Sequence, residues 1–542
     1  MYSTNDSADT SVRQPIACPR CKTNITAQPL YHHLRVCNVC GHHFSITARE
    51  RVEGLADPRS FREFASTIHN DPSGAHRTLR EAVITGTALI AKYPIVIAVF
   101  DFGFRGGTMS VAVGEQITQA IEYATQKQLP FVAITATGGI RIQEGIPALL
   151  QMVKTTQAVK EFQNLGCPFI VVLCHPTTGG VYASFASLAD IIFAEPEALI
   201  GFAGPRVAQA LLSQKLPADS HRAESAYAHG MLDAIVPRTN LRNRLEQILS
   251  IVTARDKNKV APISADTDHA RKPFSLSVSE TIALARHINR PTALDYIHHL
   301  FTDFVELHGD RLHGDDPAVV SGLARFEKRS VVVIAQERGH GEEHHRGSAG
   351  PDGYRKAERV IHLAERLRLP IITLVDTPGA DPGYASERHG IANAIACCLA
   401  ALVQTPMPTI SVIIGEGTSG GALALAATDR VLMMENATYS IISPEGASSI
   451  LFGDVSHTRE IMGQLENRVN DLLPRGIIDQ VILEPEGGAH MQPDMAMSAV
   501  KVALKANLSQ LETQNDEARL ATRRARFRQA GSNLIPGIPP GI

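Results

Sequence analysis

The fold follows from a pattern that occurs twice, as PFIVVLCHPTTGG at residues 168–180 and as PTISVIIGEGTSGG at residues 408–421. Each copy begins with a proline, continues as an apolar run rich in β-branched residues, and closes on a Gly-Gly pair. Apolar runs of this length are typical of buried parallel strands. The glycines mark a tight turn into a helix. Both stretches therefore predict a strand–turn–helix unit.

A second matching pair lies upstream of these stretches. PFVAIT at 130–135 leads into a turn at 137–139, and PIITLVD at 370–376 leads into a turn at 377–380. The offset is 240 residues between the upstream prolines, 241 between the last glycines of the Gly-Gly pairs, and 239 between the aspartates that follow them, Asp190 and Asp429. Landmarks this close to one offset indicate two tandem copies of a domain of roughly 200 residues.

Within each copy, short apolar strands alternate with longer helical stretches, which predicts the α/β class with a parallel sheet. By composition the chain of 542 residues divides into a flexible tail at 1–15, a Cys/His-rich module at 16–45, a first α/β domain at 46–253, a polar linker at 254–275, a second α/β domain at 276–508 and a charged tail at 509–542.

The C-terminal tail carries arginines at helix-compatible spacing. We expect a solvated terminal helix there, with a partner-binding or nucleic-acid tail as the alternative. The arginines concerned are Arg519, Arg523, Arg524, Arg526 and Arg528.

The overall composition excludes several classes of protein. Hydrophobic residues make up 44% of the chain and charged residues 20%, which is enough apolar material to bury a core. A net charge of −3 argues against a global electrostatic hold on nucleic acid or an anionic membrane. The first residues lack the features of a signal or transit peptide, and no apolar run approaches membrane-spanning length, so we expect a cytoplasmic protein.

The module at 16–45 contains two CxxC knuckles, formed by Cys18 with Cys21 and by Cys37 with Cys40. Two knuckles at this separation suit four thiolates around a tetrahedral Zn²⁺ ion. A unit of about 30 residues cannot build a sufficient core, so the metal would supply its folding energy. The sequence predicts a structural zinc ribbon, with disulfides or an iron–sulfur cluster as the alternatives.

The Gly-containing turns are the candidate catalytic elements. A glycine at a strand-to-helix turn exposes backbone N–H groups in the positive field of the helix dipole, where they can bind an oxyanion. The alternative, that these glycines only permit tight turns and close packing, stays open at this point. The candidate positions are Gly138, Gly139, Gly179, Gly180, Gly379, Ala380, Gly420 and Gly421.

Other catalytic motifs are missing from the sequence. It contains no P-loop, no convincing dinucleotide fingerprint and no GxSxG elbow. The cysteines outside the ribbon lie in apolar or small-residue contexts and are expected to be inert core thiols. The sequence alone nominates no general base.

Long motifs resemble the carboxyltransferase of bacterial acetyl-CoA carboxylase. The first half is similar to its β subunit in DFGFRGGTMSVAVGE (101–115), TGGIRIQEG (137–145), PTTGGVYASFA (176–186) and AEPEALIGFAGPR (194–206). The second half is similar to its α subunit in RPTALDYI (290–297), PIITLVDTPGADPG (370–383), GEGTSGGALAL (415–425) and ILEPEGGAH (482–490). The resemblance covers nearly the whole chain, in the order β then α.

This resemblance implies two crotonase-like (ββα superhelix) domains behind the zinc ribbon. It implies transfer of a carboxyl group from carboxybiotin, borne on a biotin carrier protein, to acetyl-CoA, giving malonyl-CoA for fatty acid biosynthesis. Biotin carboxylase would be a further partner, and the fused chain would form a homodimer. Family precedent assigns the thioester to Gly138, Gly139, Gly179 and Gly180, and biotin to Gly379, Ala380, Gly420 and Gly421.

Two alternatives remain beside this reading. The segment ASERHGIANAIA (385–396) departs from the family pattern, because Arg388, His389, Ile391 and Asn393 replace the usual Glu, Arg, Gln and Glu. This leaves propionyl-CoA or another acyl-CoA open as substrate. A zinc-ribbon protein that binds nucleic acid is the second alternative, with a local basic patch of Arg13, Arg20, Lys22, Arg35, Arg49 and Arg51.

Overall fold

The computed structural model describes residues 16–65, 81–205, 208–209, 216–217, 219–253 and 276–530. The tail predicted at 1–15 and the linker predicted at 254–275 lie outside the described residues. Two short helices open the described chain, α1 (Pro29–Leu34) in the cysteine module and α2 (Ala48–Leu55) directly after it.

The first α/β domain is built on an eight-stranded sheet with the order β1-β2-β3-β4-β5-β6-β8, in which β7 also pairs with β5. The strands are β1 (Arg62–Glu63), β2 (Val83–Ile90), β3 (Tyr93–Phe100), β4 (Phe131–Thr137), β5 (Phe169–Thr178), β6 (Ile191–Ala194), β7 (Ile200–Gly201) and β8 (Ala234–Ile235). The helices are α3 (Val111–Lys127), α4 (Ile146–Leu149), α5 (Gln151–Gln163), α6 (Gly179–Tyr182), α7 (Ala223–Ala228) and α8 (Arg238–Thr253).

The second domain repeats this plan, with the strand order β16-β14-β13-β12-β11-β10-β9 and β15 on β13. Its strands are β9 (Phe301–Glu306), β10 (Val319–Phe326), β11 (Arg329–Gln336), β12 (Ile371–Thr377), β13 (Thr409–Thr418), β14 (Arg430–Met434), β15 (Thr438–Ser440) and β16 (Gln480–Ile482). Its helices are α9 (Val278–Ala285), α10 (Ala293–Leu300), α11 (Pro351–Leu367), α12 (Tyr384–Arg388), α13 (Ile391–Gln404), α14 (Ser419–Ala426), α15 (Pro444–Phe452), α16 (Thr458–Met462), α17 (Val469–Leu472) and α18 (Pro493–Leu511).

The central strands of each sheet are parallel, as the sequence pattern predicts. In the first sheet β4 pairs with β5 in parallel, and every residue of β4 is buried. In the second sheet β12 pairs with β13 in the same way. Because parallel strands end at one edge of a sheet, the Gly-containing turns after these strands lie side by side in each domain.

The two domains share one hydrophobic core and are held together by ion pairs. Arg366, on α11 of the second domain, lies against Asp190 of the first. Arg311 and Arg359 both reach Asp233. The backbones also meet closely, since a Cβ on Gly230 would lie 2.1 Å from the carbonyl oxygen of Gly314.

The C-terminal tail forms helix α19 (Asp516–Gln529), but the prediction of a solvated helix is wrong for two of its arginines. Arg519 and Arg523 are only 2% and 1% exposed. Arg523 Nε and Nη2 donate to the two carboxylate oxygens of Asp429 at 2.8 and 2.7 Å. Tertiary packing thus buries two arginines for which the sequence predicted a solvated helix. Among the described residues, no helix is both long and apolar enough to cross a membrane.

Candidate active site

The four cysteines of the N-terminal module converge on one point. Their sulfur atoms all lie within 4.8 Å of one another, and the Cys18–Cys40 and Cys21–Cys37 pairs are 3.6 and 3.7 Å apart. A tetrahedral zinc ion with Zn–S bonds of about 2.3 Å would place its sulfur ligands about 3.8 Å apart. The four cysteines form no disulfide, and their geometry fits structural Zn²⁺.

The basic residues around the ribbon are largely neutralised. Four of the six in the predicted patch form ion pairs with glutamates: Arg20 with Glu197, Arg35 with Glu50, Arg49 with Glu63 and Arg51 with Glu195. Arg13 lies outside the described residues. The contacts therefore give no support to a continuous phosphate-binding surface at the ribbon.

In the first domain, the turn after β4 and the turn after β5 touch backbone to backbone. Gly139 and Gly179 have φ values of 109° and 68°, a conformation that residues with a side chain rarely adopt. A Cβ on Gly179 would lie 2.9 Å from the Cα of Gly139. Glycine is therefore required here for close approach as well as for the turn.

Three of the four predicted donors in this domain already have acceptors. The N–H of Gly138 donates to Gly106 O at 2.8 Å, that of Gly139 to Thr137 Oγ1 at 2.9 Å, and that of Gly179 to Phe202 O at 2.8 Å. Gly180 is different, because no described residue accepts a hydrogen bond from its N–H.

Ile140 supplies a second available N–H that the sequence reasoning missed. The backbone of Met109 bonds to the residues on both sides of Ile140. Its N–H donates to Gly139 O, and its carbonyl oxygen accepts from the Arg141 N–H, both at 2.8 Å. The Ile140 N–H has no acceptor within the described part of the chain. A Cβ on Gly180 would lie 2.6 Å from Ile140 Cδ1, so the two residues are neighbours.

The second domain repeats this arrangement at an offset of 240. The Gly379 N–H donates to Thr377 Oγ1 at 3.0 Å, as Gly139 does to Thr137. The Asp381 N–H donates to Ala349 O at 2.9 Å, matching the bond from Arg141 to Met109. The N–H between them belongs to Ala380, and no acceptor for it lies among the described residues.

The structure shifts the alignment of the Gly-Gly pairs by one residue. The pairs Thr137–Thr177 and Thr377–Gly417 occupy the same register in the two sheets. Ser419, with φ of 61°, therefore corresponds to Gly179, and Gly420 corresponds to Gly180.

Gly420 and Gly421 differ in their surroundings. A Cβ on Gly421 would lie 2.6 Å from the Ala380 nitrogen and 2.7 Å from the Tyr354 hydroxyl, so Gly421 packs beneath the first turn. Around Gly420 the nearest atom, Ile395 Cγ2, is 4.0 Å away. The Gly420 N–H, like that of Gly180, has no acceptor in the described chain.

A cavity of about 590 Å³ opens beside Gly420. Only two of its lining residues, Tyr439 and Glu466, have ionisable side chains, and neither is poised as a base near neutral pH. Burial raises the pKa of Tyr439 to about 12, and a hydrogen bond from Arg475 lowers the pKa of Glu466. The lining residues come from the second domain: Ser419, Gly420, Leu423, Tyr439, Ile441 and Ile477 among them.

A second cavity of about 590 Å³, beside Pro378, contains an ion-pair cluster that fixes the ends of β12 and β13. Arg286 donates to Glu416 at 2.6 Å and to Glu445 at 2.7 Å. Arg338 bridges Glu416 and Asp376. Burial raises the pKa of Asp376 even though Arg338 opposes the rise. The cluster holds the strand ends from which both turns begin.

Comparison with known proteins shows the family to which the chain belongs. A family model described as acetyl co-enzyme A carboxylase carboxyltransferase-like matches residues 231–531. The acetyl-coenzyme A carboxylase carboxyl transferase subunits beta/alpha of Salinispora tropica are 43% identical over 95% of this chain and 96% of their own length. The protein of the same description from Clostridium tetani is 37% identical over 96% of this chain and 95% of its own length.

Solved structures show the same fold. Transcarboxylase 12S, with methylmalonyl-coenzyme A and methylmalonic acid bound, superposes with a TM-score of 0.69 at 24% identity, over 85% of this chain and 90% of its own. A single-chain, multi-domain long-chain acyl-CoA carboxylase gives a TM-score of 0.64 at 18% identity, over 84% of this chain and 45% of its own.

The fold and these relatives together define a biotin-dependent carboxyltransferase built from two crotonase-like domains. Within that class, the chain belongs to the acetyl-CoA carboxylase carboxyltransferase family, with the beta and alpha parts on one polypeptide.

Proposed function

We propose that this chain transfers the carboxyl group of carboxybiotin, delivered on a biotin carrier protein, to acetyl-CoA to form malonyl-CoA. The observation that carries the proposal is the repeated pair of available N–H groups, Ile140 with Gly180 in the first domain and Ala380 with Gly420 in the second. A biotin carboxylase would reload the carrier.

The reaction develops negative charge on two oxygens, and the chain offers two matching pairs of donors. Departure of CO2 leaves charge on the ureido group of biotin, which then removes a proton from the acetyl methyl group. The resulting enolate carries its charge on the thioester oxygen and attacks CO2. Preorganised N–H donors stabilise such charge without a side-chain acid or base. We assign the thioester oxygen to Ile140 and Gly180, and the ureido oxygen to Ala380 and Gly420.

Zinc would have a structural role in this scheme. Cys18, Cys21, Cys37 and Cys40 would hold it with four thiolates, which leaves no position for a reacting group. When bound, the metal supplies the folding energy of the ribbon.

Two chains would be needed to complete one active site. The cavity beside Gly420 is lined by the second domain, whereas exposed apolar side chains follow the Gly138–Gly139 turn of the first. Ile142 is 88% exposed, and Ile146 and Val153 are each 65% exposed. Ile441, at the Gly420 cavity, is 82% exposed. We propose a homodimer in which the first domain of one chain covers the second domain of its partner.

The direct test is formation of malonyl-CoA from acetyl-CoA and a carboxylated carrier protein, with propionyl-CoA as competitor. Gly420→Pro removes the proposed donor at the second residue of α14, where no intrahelical hydrogen bond is lost. Loss of one such donor costs about 10²–10³-fold in kcat. Gly420→Ala is the matched control, because it keeps the N–H and adds a methyl group in open space. Equal activity of the two variants would contradict the donor assignment.

Complementation tests the shared site. Gly180→Pro and Gly420→Pro chains, each of which should retain about 1% of wild-type activity or less, are mixed and allowed to exchange subunits. If each site joins domains of two chains, half of the dimers are mixed and hold one intact site, so about a quarter of wild-type activity returns. If both donor pairs act within one chain, no activity returns. Sedimentation velocity checks that the dimers have formed and exchanged.

A further inference from the structure

One guanidinium links the zinc ribbon to the body of the first domain. Arg238 is the first residue of α8, and its side chain is only 5% exposed. Its Nη1 donates to the carbonyl oxygens of Leu34 at 2.8 Å and Phe44 at 3.1 Å. Leu34 and Phe44 lie on either side of the second cysteine knuckle. Arg238 therefore bonds to backbone carbonyls whose positions the metal would fix.

The opposite edge of the same guanidinium holds a buried carboxylate. Nε and Nη2 of Arg238 donate to the two oxygens of Glu195, both at 2.8 Å. Arg51 also donates to both oxygens of this carboxylate, at 2.7 and 3.2 Å. Although burial alone raises the pKa of Glu195, these two arginines hold it well below its usual range. The carboxylate is therefore charged and bonded in a fixed position.

Glu195 begins the segment that supports the second turn of the first domain. Its N–H donates to Leu173 O on β5 at 3.0 Å. Four residues later, Leu199 O accepts from the Thr177 N–H at 2.7 Å, and Phe202 O accepts from the Gly179 N–H at 2.8 Å. The chain from 195 to 202 thus holds the backbone on which the Gly180 N–H is presented.

The second domain achieves the same support without a ribbon. Glu435 occupies the position of Glu195 and accepts from the Glu484 N–H at 3.0 Å. Glu484 is in turn bonded by Arg290, all within that domain. In the first domain, by contrast, the guanidinium that holds Glu195 also bonds the ribbon backbone.

We propose that Arg238 is a positioning residue that couples metal binding in the ribbon to the geometry of the Gly180 donor. Arg238 touches no reacting atom. It acts through Glu195 and residues 195–202. The proposal deepens the function proposed above, because it takes the Gly180 N–H as a thioester donor.

The test measures amide hydrogen exchange in peptides covering 175–186 and 195–205 of the full chain, with zinc bound and after removal by a chelator. Zinc content is checked by mass spectrometry. In the wild type, we expect zinc removal to raise exchange in both peptides by about tenfold, as expected for a local opening. In Arg238→Met, exchange is already raised with zinc bound, and zinc removal adds little.

Arg242→Met is the matched control. Arg242 lies one turn further along α8 and donates to Asp57 at 2.6 Å, with its contacts outside the ribbon. This variant should respond to zinc removal as the wild type does. If Arg238→Met does not fold, Arg238→Lys replaces it, since one ammonium cannot hold both partners in the same planar geometry.

Two results would overturn the coupling. One is unchanged exchange in the wild type after zinc removal. The other is an equal rise in Arg238→Met and in the wild type. With substrate, the zinc-loaded Arg238 variant should lose about tenfold in kcat with little change in KM, because the donor is misplaced rather than lost. The exchange result needs no substrate. If hydrogen exchange responds to zinc removal as expected but the chain transfers no carboxyl group, the proposed function fails and the coupling stands.

Discussion

The two domains keep the same aspartate and hold it in different ways. Asp190 accepts the Phe169 N–H at 2.6 Å, and Asp429 accepts the Thr409 N–H at 2.9 Å, so each carboxylate fixes the start of a central strand. The cation beside Asp190 is Arg366, which comes from the other domain. The cations beside Asp429 are Arg523 and, at a longer distance, Arg519, both from the C-terminal helix.

This difference shows which part of a duplicated site is inherited with the repeat. The carboxylate belongs to the strand–turn–helix unit and recurs at nearly the same offset. The arginine comes from whichever element packs against that end of the sheet. One aspartate therefore joins the two domains, and the other attaches the C-terminal helix α19.

The largest expected effect comes from removing the more deeply buried cation. Arg523→Met removes the hydrogen-bonded cation of Asp429 and leaves Arg519 Nε 3.8 Å away, which should cost about 3 kcal/mol in the free energy of unfolding. Arg366 is 18% exposed, and Arg366→Met should cost about 1–2 kcal/mol. Urea unfolding of both variants measures the difference. Equal losses of stability would show that burial does not distinguish the two arginine–aspartate pairs.

An acid-dependent effect should follow from Glu484 in the second domain. Burial raises its pKa, but Arg290 outweighs burial and the pKa lies below its ordinary value. Its ionised form therefore adds stability at neutral pH, and this contribution is lost as pH falls below about 4.3 and through the folded-state pKa.

Glu484→Gln should accordingly lower the free energy of unfolding by about 2 kcal/mol at pH 7. This difference in stability between variant and wild type should narrow toward pH 3. Urea unfolding at a series of pH values measures this gap. Glu486→Gln, a change two residues along the chain at an exposed position, is the control. A gap that stays constant with pH would show that the ionised form of Glu484 adds no stability.

The smallest expected effects test the equivalence of Gly179 and Ser419. Both have left-handed φ values, but a Cβ at Gly179 would press on the Gly139 backbone. Gly179→Ser should therefore destabilise the chain by at least about 1–2 kcal/mol, the cost of the φ value alone. Ser419→Gly should change stability by no more than about 0.5 kcal/mol, because relief of strain offsets the added freedom of the unfolded chain. Thermal unfolding measures both changes. Similar losses in both variants would contradict the shifted alignment.

The sequence pattern was sufficient for the architecture because strand–turn–helix units are local. The apolar runs, the turn glycines and the CxxC spacing each depend on a few neighbouring residues. They predicted the tandem repeat, the parallel sheets and the convergence of four cysteines. The same local patterns predicted only part of the donor pairs. Ile140 has an ordinary side chain, and its available N–H follows from which neighbouring amides are bonded.

By itself the sequence determined the duplicated α/β plan, the cysteine module and the membership of a carboxyltransferase family. Tertiary structure alone decided that Gly420, rather than Gly421, matches Gly180, that Arg519 and Arg523 are buried, and that Arg238 connects the ribbon to Glu195. The physical reason is that periodicity and turn chemistry act over a few residues. Hydrogen-bond satisfaction and ion pairing join residues that are far apart in the chain, and they are settled only when the sheets and helices pack.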